Sequence, residues 1–299
     1  MKVLSLFGGV ECGYPAFKEL GIEVDSYYSC EIDEVAQSIT RFNIPFVRHL
    51  GDVKNVDFSS LGEIDIVVGG SPCTYWSISK KGRETTSEGI GYDLFMQFVR
   101  AFKESGAKYF LYENNNSIHQ DIKDAITQEL GVELVMVNSS LLSSQSRRRC
   151  YWTNIPLNNL PDDSNVLLKD ILEKEVADKY TVNPAAISRY IKNGKPKGFK
   201  SINEKANTVT ASVFKGYGND GCTVVLKDLE DRDTYKEGDS IRRLTPLECE
   251  RLQTLPDNWT EFGFDKNGKR FKVSDTQRYR CVGNGWTSQV IKYFLTNLK

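Results

Sequence analysis

One of the chain's seven cysteines stands in a setting that suits chemistry. The run Ile64-Asp65-Ile66-Val67-Val68 reads as a buried strand that stops at Gly69-Gly70, and Ser71-Pro72-Cys73 follows at once. Proline fixes the backbone just before the thiol, and the glycines leave room to reach it. A thiolate so placed is a potent nucleophile for covalent catalysis. Tyr109-Phe110-Leu111 reads as a neighbouring strand and delivers Tyr112-Glu113-Asn114-Asn115, which aims a carboxylate into the same crevice. Farther on, Gln145-Ser146-Arg147-Arg148-Arg149-Cys150 would turn Arg147 and Arg149 to one side if extended. Two guanidiniums there could hold a phosphate or carboxylate and favour the Cys73 thiolate.

A second group of residues suits binding. An apolar strand over residues 3–7 runs into Phe7-Gly8-Gly9-Val10-Glu11-Cys12-Gly13, whose glycines let backbone N–H groups approach a ligand. The next strand, residues 24–30, ends in Glu31, about twenty residues past the turn, where a carboxylate grips a ribose hydroxyl pair. Gly51-Asp52-Val53 offers a further acceptor for an adenine amino group. Together these positions suggest an adenosine-containing cofactor.

The elements that must position these residues follow from the hydrophobic pattern. Strands at 3–7, 24–30, 64–68, 108–112 and 133–137 alternate with helices at 15–20, 34–42, 94–104 and 118–130. That alternation implies an α/β fold, a parallel sheet with helices on both faces and ligands beyond the carboxyl ends of the strands. After Pro156 the composition turns to Asn, Asp, Lys and Gly, with short β-like pieces at 208–213 and 221–226. Thr245 as N-cap, Pro246 at the first helical position and Glu248 three residues on then mark a capping box. An amphipathic helix over 287–298 is expected to pack back on the first domain.

The 299 residues, 39% apolar and 26% charged, suffice for one large domain or two moderate ones. The first residues carry no signal peptide pattern, and no apolar window approaches the ~20 residues a membrane helix needs. Widely spaced cysteines, no Cys-x-x-Cys and two histidines argue against a zinc site or a disulfide framework. Reduced thiols, an intracellular location and no bound metal are expected. The net charge is −1, yet nine Lys or Arg face three acids between positions 174 and 218, among several aromatic residues. That balance suits a nucleic-acid face as well as a solvated loop region.

In order along the chain, the FGG turn, the Glu31 tip, GDV, GGSPC, YEN, QSRRR, RRLTPLECERLQTLPDNW and RYRCVGNGW resemble the S-adenosylmethionine-dependent DNA (cytosine-5)-methyltransferases. The details look most like animal de novo enzymes and their phage or bacterial relatives. The resemblance spans the chain except its middle segment. It implies a Rossmann-like class I methyltransferase sheet at 1–156 and 275–299, with a smaller target-recognition domain at 157–274. Cys73 would add to carbon 6 of a flipped cytosine in double-stranded DNA, with DNA lying in the cleft of a two-domain clamp. Glu113 would meet the ring's N3 and amine, and Arg147 and Arg149 the base and its phosphate. Phe7, Gly9, Gly13, Glu31, Ile32, Asp52, Val53, Pro72, Leu94, Asn284 and Trp286 would line the cofactor site. Ser77, Gln145, Arg189, Lys195, Lys197, Lys200 and Lys215 would touch DNA.

The resemblance further suggests an intracellular monomer of a bacterium or an infected cell, of the restriction-modification type. Departures from the family pattern are Gly8, Glu11, Thr74 and Asn115-Asn116. Glu11 replaces Gly or Ala in the cofactor turn, where it would point outward, pair with the cofactor's amino group or sulfonium, or mark a modified cofactor. Other readings are the same chemistry on RNA such as tRNA, a nicotinamide-dependent dehydrogenase, and a catalytically silent DNA-binding homologue.

Overall fold

The computed structural model describes every residue except 79, 158, 193, 219, 220, 229–233 and 299, and leaves the Lys192 side chain aside. The chain divides into two compact units. Met1–Asn138, Arg148–Leu160 and Val290–Lys299 form the first, and Ser139–Arg147 with Pro161–Gln289 form the second. The second thus takes in residues 139–147 and 275–289, beyond the 157–274 expected of a recognition domain.

The first unit is built on a seven-stranded sheet: β1 (Lys2–Leu6), β2 (Ser26–Cys30), β3 (Arg48–His49), β4 (Ile66–Gly69), β5 (Tyr109–Asn115), β6 (Val135–Asn138) and β7 (Arg148–Thr153), in the order β3-β2-β1-β4-β5-β7-β6. Pairings among β1 to β5 are parallel. Helices α1 (Tyr14–Glu19), α2 (Glu34–Asn43), α3 (Ile90–Ser105) and α4 (Gln120–Leu130) lie in the connections. The sheet is parallel except at one edge, where β7 runs antiparallel to both β5 and β6. Between β6 and β7 there is only the short segment 139–147, with a single 3-10 turn. A parallel link needs a crossover of a dozen residues or more, so the chain doubles back.

Helix α3 shows why the sheet holds together. Phe95, Phe98 and Val99 are buried, with Phe102 beside them, at the i, i+3, i+4, i+7 spacing of a core-facing stripe. The Phe98 ring lies 6.4 Å from Phe110 and 4.9 Å from Tyr112 of β5. Burying such a ring contributes about 2–3 kcal/mol. Gly106 ends the helix in the left-handed region (φ 62°), where a side chain is disfavoured. At the chain's end, α8 (Ser288–Leu295) returns with Phe294 4.5 Å from Tyr151 and Lys292 2.9 Å from Glu19.

The second unit carries three two-stranded pairs: β8 (Ile191–Lys192) with β9 (Lys195–Pro196), β10 (Val224–Leu226) with β11 (Ile241–Arg243), and β12 (Phe262–Phe264) with β13 (Arg270–Lys272). Its helices are α5 (Pro184–Arg189), α6 (Pro246–Leu252) and α7 (Asp275–Asn284). The Thr245–Glu248 capping box opens α6. Residues 208–213, expected as a strand, form none: the Val209 N–H and C=O bond to the Gln145 and Arg147 side chains, and from 211 the chain enters a turn. Two wholly buried acids organise α6. Glu248 receives both Arg242 terminal nitrogens at 2.8 Å, and Glu250 receives Arg278 at 2.8 Å and the Thr260 amide at 3.0 Å.

Removing one partner of a buried pair strands the other charge. Arg242→Ala is expected to lower stability by about 3–5 kcal/mol in urea unfolding, whereas Arg251→Ala, from the more exposed Arg251–Asp257 pair, should cost about 1 kcal/mol or less. Equal losses would refute this ranking.

Candidate active site

Six of the seven cysteines are buried and Cys73 is exposed. Burial pushes the Cys30 thiol up to about 12 and those of Cys150 and Cys222 up to about 11. It also drives Cys249 well above its ordinary value. Those thiols stay protonated at neutral pH, which leaves Cys73 as the accessible nucleophile.

Its placement comes from the residues just before it. Gly69, the last residue of β4, registers with Tyr112 of β5, and β5 runs on past it to Asn115. The Ser71 hydroxyl lies 2.6 Å from the Tyr112 hydroxyl, and the Asn114 amide donates to the Ser71 carbonyl at 3.1 Å. On the alternate face of β5, a Cβ built at Gly70 would stand 2.7 Å from the Glu113 carbonyl and 3.1 Å from its carboxylate. Only glycine permits that approach. Pro72 (φ −51°) then starts a single 3-10 turn, Cys73–Tyr75. The buried Trp76 anchors the turn by donating its amide to the Cys73 carbonyl at 3.0 Å. Arg83 ties the following loop down through the carbonyls of Trp76 and Ser117.

Glu113 lies within β5, and Asn115 opposes Arg149 of β7. Glu113 and Arg149 therefore share a face and pair at 3.1 Å, both largely shielded. Arg147 does not join them, which corrects the expectation that the two arginines face one way. Residue 147 precedes the strand, and its guanidinium is buried in the second unit. There it donates to the carbonyls of Val209 at 2.6 Å, Gly283 at 3.2 Å and Gly285 at 2.9 Å. Gln145, expected at DNA, is likewise wholly buried. Its amide donates to the Leu252 carbonyl at 2.7 Å and to Gln253 at 2.8 Å, and accepts from the Val209 amide at 3.2 Å. Both side chains are buried and hydrogen-bonded within their own unit.

The turn after β1 has two faces. Phe7, Gly9 and Glu11 all have φ between 54° and 58°. A Cβ at Gly9 would meet nothing within 4 Å, so that side is open. Glu31, at the β2 tip, accepts from the amides of Gly9 at 2.9 Å and of Ile32 and Asp33 at 2.8 Å. A carboxylate has about four acceptor positions, so one remains for a ligand hydroxyl. Ile32 beside it is 72% exposed, an apolar surface suited to a purine face. Asp52 caps a 3-10 turn through the Lys54 amide, and Arg100 of α3 holds that turn by the carbonyls of Val53 at 2.7 Å and Val56 at 3.0 Å. The Val53 side chain is buried, so it can offer only backbone. These residues fit an adenosine with a ribose diol.

Gly13 caps α1 and is buried, Leu94 lies half-buried in the first turn of α3, and Pro72 is half-buried. Asn284, exposed, and Trp286, half-buried, belong to the second unit between α7 and α8. Of the expected DNA contacts, Arg189, Lys195, Lys197 and Lys215 are exposed, and Ser77 and Lys200 half-buried. Tyr190, one of the aromatic residues of the basic segment, is exposed beside Arg189, and so is Ile191, which was not singled out from sequence. Nor were Tyr112, Asn114 and Arg100, which position the site. Nothing in a single sequence marks a hydroxyl or guanidinium whose partner lies tens of residues away. Among the described residues no three His, Cys, Asp or Glu side chains gather as metal ligands, and no helix is long and apolar enough to cross a membrane.

A family model for C-5 cytosine-specific DNA methylases matches residues 1–299. The chain is 28% identical over 316 residues to the type II methyltransferase M1.ScrFI of Lactococcus lactis subsp. cremoris, covering 95% of this chain and 74% of that protein. It is 30% identical over 191 residues to the orphan methyltransferase M.Rho11sI of Bacillus phage rho11s, covering 58% of this chain and 37% of that one. In fold it is similar to a Spodoptera frugiperda DNMT2 variant, with TM-score 0.74, 18% identity and 98% of each chain covered. It is also similar to a putative DNA modification methyltransferase from an E. coli prophage, with TM-score 0.70, 18% identity, and 99% of this chain and 98% of that chain covered.

In the folded protein at pH 8, iodoacetamide should alkylate Cys73 and spare the other six cysteines, as read by peptide mass spectrometry. Comparable labelling of Cys30, Cys150 or Cys222 would contradict the burial argument. The two arginines should separate by stability: Arg147→Ala removes the donor to the Val209 and Gly283 carbonyls, with Gln253 still serving Gly285, and should cost about 3 kcal/mol or more, while Arg149→Ala should cost about 1–2 kcal/mol.

Proposed function

The chain belongs to the C-5 cytosine-specific DNA methylase family, and on that premise we propose that it methylates carbon 5 of cytosine in double-stranded DNA, using S-adenosylmethionine and a covalent Cys73 adduct. The observation that carries this reading is that the single exposed thiol, on Cys73, follows β4 directly, while Glu113 lies in β5, the strand paired with β4. A base inside a duplex cannot be reached, so the target cytosine is extruded into the crevice. The Cys73 thiolate adds to carbon 6, and the electron pair displaced through the ring makes carbon 5 nucleophilic. Glu113 hydrogen-bonds ring N3 and the exocyclic amine, stabilising the charge that builds on the ring as sulfur adds. Arg149, already paired to Glu113, holds that carboxyl in place and faces the base.

The cofactor supplies an electrophilic methyl group to carbon 5. Loss of the carbon 5 proton to solvent then drives the sulfur out, restoring the free thiol and the aromatic ring. Glu31, Asp52, Ile32 and the open side of Gly9 would hold the adenosine. The exposed Arg189, Lys195, Lys197 and Lys215 of the second unit suit phosphate contacts of a recognition domain.

Tritiated S-adenosylmethionine with mixed-sequence duplex DNA should label the DNA, and in competition the duplex should win over a tRNA pool. Cys73→Ala should abolish transfer, and Glu113→Gln should lower kcat by about 10²–10³. A 5-fluorocytosine duplex, whose fluorine cannot leave as the proton does, should trap a covalent adduct only when Cys73 is present. Label in tRNA alone, or an adduct with Cys73→Ala, would defeat the proposal.

A further inference from the structure

Glu11 is 2% exposed, and its side chain folds beneath the turn rather than outward. Ser5 and Ser29 are register partners on β1 and β2, and Tyr27 shares their face of the sheet. Their hydroxyls all donate to the Glu11 carboxylate, at 2.7 Å from Ser5, 2.6 Å from Ser29 and 2.8 Å from Tyr27. A Cβ built at Gly8 would fall 2.3 and 2.4 Å from the two carboxylate oxygens and 2.4 Å from the Ser5 hydroxyl. The two departures at positions 8 and 11 are therefore one change. The carboxylate occupies the space that any side chain at 8 would need.

No ion pair accompanies this carboxylate among the described residues, and all three of its partners are neutral. Burying an anion without a counter-charge is costly, and burial raises the Glu11 pKa, opposed by the three hydroxyls. Glu31, across the turn, raises it further. Two carboxylates thus act on one turn with no cation between them.

We infer that Glu11 is a specificity residue of the cofactor turn, whose buried charge favours a cationic methyl donor over its neutral, demethylated product. The inference rests on the cofactor proposed above. A sulfonium close to the turn is attracted through a low-dielectric medium, and the thioether left after transfer is not. Product release is favoured by the same difference.

Isothermal titration with S-adenosylmethionine and S-adenosylhomocysteine tests it without any turnover. Glu11→Gln should weaken binding of the sulfonium about tenfold and change that of the thioether less than about twofold. Equal weakening of both ligands would reduce Glu11 to a structural role, and no change in either would also overturn the inference. Should Glu11→Gln fail to fold, Glu11→Ala, which leaves Gly8 and Ser5 undisturbed, should show the same selective loss. Wild-type protein that binds neither ligand would remove the proposed cofactor and the inference with it, an outcome distinct from binding that Glu11 does not influence.

Discussion

Ser71 ties the end of β4 to β5 twice, through its hydroxyl on Tyr112 and its carbonyl on Asn114. Both partners are wholly buried, so the tie is shielded from water and cannot drift. The site inherits its geometry from this joint. Pro72 removes one rotation, the turn at Cys73 removes others, and the thiol emerges at a fixed distance from a strand that also carries Glu113. Alternation along β5 does the sorting: Tyr112 and Asn114 point to the joint, while Glu113 and Asn115 point to Arg149. A strand whose two faces have different duties needs an exact register, and antiparallel pairing with β7 supplies it.

The turn after β1 works on the same principle with a different economy. Gly9 keeps one side open and Gly8 leaves the other to a carboxylate, so adjacent glycines serve opposite ends. Phe7 and Glu11 hold left-handed backbone that side chains seldom adopt, and the buried hydroxyls around Glu11 help to keep it there. Arg100 extends this order to Asp52 from a helix on another connection. The Asp52 turn is thereby fixed by a side chain from outside it.

Much of this was legible beforehand. Period and glycine stops located β1, β2, β4 and β5 to within a few residues, and the strand-end rule pointed to Glu31 just past β2 and Cys73 just past β4. The antiparallel edge escaped notice because nothing local distinguishes a strand that turns back from one that crosses over. Only the missing helix between β6 and β7 tells them apart. Arg147 and Arg149 looked equivalent by spacing, yet the strand begins after the first of them, and a buried set of carbonyls claims its guanidinium. Glu11 stood out as an oddity, but its meaning needed Ser5, Tyr27 and Ser29, which only the sheet assembles. The 208–213 segment has β-forming residues but forms no strand, and at Val209 side chains satisfy both backbone groups instead.

Gln145 and Arg147 grip the Val209 peptide from both sides, one through its N–H and the other through its C=O. The nine residues Ser139–Arg147, although bracketed by two strands of the sheet, therefore belong by their bonding to the other unit. A chimera that exchanged only Pro161–Gln289 of the second unit would separate this splint from its peptide. Grafting between relatives would have to carry both segments, or rebuild the grip at the new junction.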